Sequence, residues 1–140
     1  MSLVMDHIGV AVAELDAALA VWRDQLGMPC LEIEDVANLG VRVAILDSGP
    51  TKTELLEPLG PDSTVGKFLA AGRKGIHHVA YRTTEIDAVL ARLRSAGVRL
   101  IHEQAVPGSR GTRVAFIHPA SCNGVLVELV EYPVAKGGGH

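Results

Sequence analysis

Two stretches decide the fold, MDHIGVAV at residues 5–12 and IHHVAYRT at residues 76–83. Each is short, rich in β-branched residues and polar near one edge, which predicts a strand. Sliding the chain by 71 positions lays His7 on His78 and continues through Glu14/Glu85, Asp16/Asp87, Ala17/Ala88, Leu19/Leu90, Ala20/Ala91 and Arg23/Arg94. The same shift matches Arg42-Val43-Ala44 with Arg113-Val114-Ala115, and a shift of 74 matches Glu54, Leu55 and Glu57 with Glu128, Leu129 and Glu131. The chain is therefore read as an internal duplication.

Working outward, each predicted strand is followed by an amphipathic helix. Leu15, Ala18, Leu19, Trp22 and Leu26 form an apolar stripe in the first half, and Ile86, Val89, Leu90 and Leu93 form one in the second. Thr84 with Asp87 resembles a capping pair, and Gly27 and Gly97 stand where the helices would stop. Extended runs follow: LEIEDV, VRVAILD and KTELLEP in the first half, then RLIHEQ, TRVAFIH and GVLVELVEY in the second. The unit is βαβββ, and the fold class is α+β: two tandem modules making a curved mixed sheet. The expected boundaries are about 1–60 and 75–134, within one domain spanning 1–140. A linker helix is expected within 61–74, N-capped by Asp62 or Ser63 and presenting Val65, Phe68 and Leu69. Residues 135–140 read as a flexible tail.

Composition narrows the function. The chain has 140 residues, 48% of them apolar and 21% charged, with a formal net charge of −3, so no basic face is expected for nucleic acid. No apolar run approaches the roughly 20 residues of a membrane-spanning helix. No export signal is visible at the N-terminus, and Cys30 and Cys122 stand outside any CxxC pattern. A cytoplasmic setting with reduced thiols is the expectation.

His7 and His78 are repeat-equivalent, as are Glu54 and Glu128, each a carboxylate interrupting an apolar strand, TELLE and VELVE. Burying an ionised Glu amid Leu and Val is costly unless it is paired or bound to a metal. Alternation along a strand would put His7 on a face with Met5 and Gly9, and His78 with Ile76 and Ala80. Twofold repetition would then gather His7, Glu54, His78 and Glu128 on one concave face. Two imidazoles and two carboxylates suit an octahedral divalent ion with two positions left open. A strand histidine taken alone is more often a packed residue. His77, expected on the opposite strand face from His78, is read as a packed or surface imidazole, as are His102 and His118. Glu57 and Glu131 are expected to be solvent-facing and structural.

The βαβββ duplication with these four residues resembles the vicinal oxygen chelate superfamily. The segments MDHIGVAV, ELLEPLGPDSTVGKFL, GIHHVAYRT and FIHPASCNGVLVELVEY are most similar to its methylmalonyl-CoA epimerase family. The resemblance implies a divalent ion, cobalt foremost, with manganese, nickel, magnesium, iron or zinc as alternatives. It further implies an acyl-CoA substrate, a homodimer, and Glu128 as a proton-transferring base. Some family members carry a Glu at the position read here as Val43, where valine cannot move a proton; Glu54 is then one candidate for the second base. The turn PGSRG at 107–111 could form an anion-binding nest or be an ordinary turn, and Lys67, Arg73 and Lys74 could meet CoA phosphates or simply be solvated. A glyoxalase I-like lyase, an extradiol dioxygenase and a non-catalytic drug-binding protein share the fold; four retained ligands and 4% aromatic content count against the last.

Overall fold

The computed structural model describes residues 2–134, so the expected tail lies outside the described residues. Its elements are β1 (Val4–Ala11), α1 (Leu15–Leu19), β2 (Cys30–Val36), β3 (Val41–Leu46), β4 (Lys52–Pro58), α2 (Thr64–Ala70), β5 (Gly75–Arg82), α3 (Ile86–Ser95), β6 (Val106–Pro107), β7 (Arg113–Ile117) and β8 (Val127–Glu131). All eight strands join one mixed sheet in the order β2-β3-β4-β1-β5-β8-β7-β6. The order is palindromic about the β1/β5 seam. These strands pair antiparallel, each pairs in parallel with the last strand of its own half, and the remaining neighbours are antiparallel.

The helices cover the sheet as the apolar stripes require. Leu15 and Leu19 of α1 pack on Val10, Ala44, Leu46 and Leu55, while Ile86, Val89 and Leu90 of α3 pack on Ala115, Ile117 and Leu129. The helix α2 takes the opposite face of the first half, where Val65 and Phe68 meet Val43, Ile45 and Leu56. Ser63 is its N-cap and accepts a hydrogen bond from Gly66 N at 3.0 Å.

Four local expectations need correction. After Leu19 the first helix widens into a π-helical stretch, Ala20–Gln25, and Leu26 is exposed. A wider turn rotates later residues off the 3.6-residue stripe, so Leu26 falls away from the sheet. At α3 the N-cap position is Glu85 and no side chain caps the first turn, so the expected Thr84 cap does not form; the Thr83 hydroxyl accepts from Glu85 N at 3.1 Å, one step ahead of the helix. The run RLIHEQ makes only an isolated bridge, Leu100 to Ile117, before the two-residue β6. The His102 imidazole takes the Phe116 N–H at 3.0 Å, a donor that a continuing ladder would have used, and Pro107 offers no N–H. Finally, Glu57 and Glu131 are half-buried and partnered. Glu57 accepts from Leu15 N at 2.8 Å, supplying the start of α1 with an acceptor, and lies 3.5 Å from Arg42; its repeat mate Glu131 lies 2.9 Å from Arg113.

The seam depends on two small residues. His7 pairs with Ala80 and His78 with Gly9, so each imidazole lies across a residue with little or no side chain. A Cβ built at Gly9 would overlap the His78 ring. Gly9→Ala is therefore expected to cost about 1–3 kcal/mol, the usual penalty for overpacking. Denaturant unfolding checks this, and an unchanged midpoint would show that the ring moves aside freely.

Candidate metal centre

The histidines reach their positions through paired β-bulges. Along the seam Met5 pairs with Tyr81 and His7 with Ala80, so β1 spends two steps on one step of β5; further on, His78 pairs with Gly9 and Ile76 with Val10, so β5 spends the extra step. The surplus residues are Asp6 and His77. Because a bulge puts two consecutive residues opposite one, it breaks the in-out alternation. Hence Asp6 and His7 are both buried, as are His77 and His78, whereas Met5 and Ile76 are exposed. The expected shared face of His7 with Met5, and of His78 with Ile76, is corrected here, and so is the expected placement of His77 on the face opposite His78; it is packed, but beside His78.

His7, His78 and Glu128 converge on one point. The two Nε2 atoms are 3.2 Å apart, and Glu128 Oε1 lies 3.0 Å from each. The rings stand edge to face at 84°. Such mutual spacings are those of neighbouring donors on an octahedral ion with bonds of about 2.1 Å, whose cis edges measure about 3 Å. Two imidazoles with one carboxylate on a shared face form a donor set that suits transition-metal dications, so the residues present fit the group. Glu54 approaches from the other side of His7, its Oε2 3.3 Å from Nδ1, and belongs to a second cluster with Asp6. The structure thus brings three of the four expected residues to one point and sets the fourth beside them.

Burial and neighbouring charge act differently on His7, Glu54, Glu128 and Asp6. Burial opposes charge on His7, but hydrogen bonds to Asp6 and Glu128 and the nearby Glu54 carboxylate outweigh it and push the imidazole up to about 10. Burial pushes Glu54 up to about 7, with Glu128 and Asp6 adding repulsion. The same burial acts on Glu128, yet the imidazoles of His78 and His7 pull it down to about 2. For Asp6, burial is overcome by His7 and Tyr132, so its carboxyl stays below the ordinary range.

All four residues line a cleft of about 550 Å³ bounded by Val43, α2 and the 108–112 turn. Val43 is buried in its wall and carries no proton. In the turn, Arg110 adopts φ 55° and its N–H donates to Glu34 Oε1 at 2.8 Å, so one amide of the expected anion nest is already taken. Lys67 and Arg73 flank a second groove that meets the first at His77 and His78; Lys74 is not among its lining residues. Sequence reasoning missed Asp6, His77 and Tyr132. Asp6 Oδ2 lies 2.7 Å from His7 Nδ1, and the Tyr132 hydroxyl donates to Asp6 at 2.9 Å. The one available signal was that Asp6 and His77 occupy equivalent places in the repeat.

Residues 6–116 match the model of the glyoxalase/bleomycin resistance protein/dioxygenase superfamily. The mitochondrial methylmalonyl-CoA epimerase of Mus musculus is 39% identical over 89% of this chain and 71% of its own length. The ethylmalonyl-CoA/methylmalonyl-CoA epimerase of Cereibacter sphaeroides is 39% identical over 89% of this chain and 95% of its own. A solved methylmalonyl-CoA epimerase in complex with methylmalonyl-CoA and NH4+ superposes with a TM-score of 0.89 at 41% identity, covering 95% of this chain and 97% of that one. The chain belongs to the methylmalonyl-CoA epimerase family of the glyoxalase/bleomycin resistance protein/dioxygenase superfamily.

Proposed function

We propose that this chain epimerises methylmalonyl-CoA by moving a proton at the carbon between its thioester and carboxylate. The observation that carries the reading is the convergence of His7, His78 and Glu128 at 3.0–3.2 Å in a cleft, within a chain 39–41% identical to named epimerases. These three residues, with Glu54 closing from beside His7, would hold a divalent ion, cobalt foremost. Such an ion supplies Lewis acidity that stabilises the negative charge developing on the substrate oxygens as the proton leaves.

The chain's own groups do the rest. Inversion needs a proton acceptor on each side of the carbon, and the cleft offers four carboxyl groups: Asp6, Glu54, Asp62 and Glu128. Asp6 is engaged by His7 and Tyr132, and Asp62 lies at the exposed rim. Glu128 and Glu54 are left, and their environments push them apart, one held ionised and the other poised near neutrality, as suits an acid–base pair. Glu128 is proposed as the first acceptor and Glu54 as its counterpart, the role that Val43 cannot fill. A homodimer goes with this reading on family likeness. A cytoplasmic setting is supported by two free cysteines.

Proton NMR of methylmalonyl-CoA in deuterated water with cobalt-loaded protein is expected to show loss of the α-proton signal. No exchange, together with consumption of the methylglyoxal–glutathione hemithioacetal, would replace this reading with a lyase. Glu128→Gln is expected to slow exchange by about 10²–10⁴-fold, the usual weight of a positioned base; full activity would remove it from the mechanism. Ion binding carries a pH signature. The raised pKa of His7 keeps it protonated through neutrality in the ion-free protein, so binding must expel that proton. Affinity measured by chelator competition is expected to climb about tenfold per pH unit from pH 7 to 9. A flat profile would contradict the ligand role of His7.

A further inference from the structure

The two seam bulges are equivalent in the repeat but not in chemistry. Asp6 and His77 stand 71 positions apart, the same interval as His7 and His78, and each surplus residue contacts the Nδ1 of the histidine that follows it. Asp6 Oδ2 is 2.7 Å from His7 Nδ1, and His77 Nδ1 is 3.0 Å from His78 Nδ1. All four side chains are buried. A carboxylate can only accept, so Asp6 places the proton of a neutral His7 on Nδ1 and leaves the Nε2 lone pair facing Glu128 and His78. The His77–His78 contact has two Nδ1 atoms and room for one proton between them. If His78 is to offer Nε2 to an ion, its own Nδ1 must carry that proton.

We propose that His77 is a positioning residue: its Nδ1 lone pair accepts the Nδ1–H of His78 and so fixes the His78 tautomer whose Nε2 is free to bind an ion. The inference rests on the metal-site reading above and deepens it. His77 is itself held edge-on by Phe68, with ring centres 5.0 Å apart at 78°, so its ring does not turn freely. The two ligand imidazoles are therefore supported unequally, His7 by an anion and His78 by a neutral ring. An anionic partner makes the imidazole it supports the more basic donor. The duplicated scaffold thus carries an electronically lopsided pair of ligands.

Three variants test this. His77→Phe keeps the ring and its packing but removes the acceptor; it is expected to weaken cobalt binding 10–100-fold in chelator competition, the usual effect of losing a group that orients a ligand. His77→Asp copies the arrangement at Asp6 from an equivalent bulge, and His77→Gln supplies a neutral acceptor. Either is expected to restore affinity to within a few-fold of the parent, and the neutral His77→Gln also the visible cobalt spectrum of the parent. Unfolding midpoints of the ion-free variants separate folding from binding. In the zinc-loaded parent, long-range ¹H–¹⁵N correlation spectra are expected to show His78 protonated at Nδ1 and His77 at Nε2. Parent-like affinity in His77→Phe, a folded His77→Asp and His77→Gln that both stay weak, or a proton on His77 Nδ1 would overturn the assignment. A parent that binds no divalent ion would instead overturn the site reading on which it rests.

Discussion

Everything at this site depends on β1 and β5 lying antiparallel with His7 opposite Ala80 and His78 opposite Gly9. An imidazole can lie flat across a neighbouring strand only where that strand has no bulk to offer, and the reciprocal pairing meets this need twice. Each ring then points from its own half toward the other. The seam is therefore where the duplication acquires chemistry: neither half brings both histidines, and Glu128 reaches them from the strand beside β5. The surrounding sheet supports this arrangement. Arg42 with Glu57, and Arg113 with Glu131, pair across matching strands of the two halves, while Glu57 also receives the first amide of α1.

Much of this was legible in the sequence because duplication leaves a signal that composition alone does not. The equivalence of His7 with His78, and of Glu54 with Glu128, pointed to a shared site without any knowledge of strand register. The helix stripe of α3 and the Ser63 cap were readable because they depend on neighbours in sequence. The parts that were not legible depend on neighbours in space. Strict alternation predicted that His77 turns away from His78, and a bulge at that residue reverses the outcome; a bulge is set by how two distant strands pair, and nothing in IHHVAYRT announces it. Likewise, RLIHEQ has the composition of a strand, but the His102 ring competes for the amide that would have extended the ladder. The helix after β1 misled for a third reason, since one π-helical stretch shifts the phase of every later residue.

The electrostatic pattern shows how position within the cleft decides the state of each buried carboxylate. Burial alone would raise every carboxylate in the cleft, and the imidazoles decide which one escapes. Glu128 touches both rings and stays ionised, whereas Glu54 touches one and sits near neutrality. Two chemically identical side chains thus acquire different behaviour from a difference in position of a few ångströms. Behind His7 stands the Asp6 carboxylate, which accepts from the Tyr132 hydroxyl, whereas the equivalent place behind His78 holds the His77 ring. The twofold plan governs the backbone, and the chemistry departs from it.

The loops at the outer edges of the sheet also meet. Asn38, between β2 and β3, donates its side-chain amide to Pro107 O at 2.9 Å, and Glu34 of β2 accepts from Arg110 N in the turn that follows β6. These contacts join the first and last strands of the sheet order, so the open sheet is latched into a ring on one side of the cleft. A latched ring resists spreading on this side. Widening the cleft on this side would break both hydrogen bonds, so the latch opposes it there.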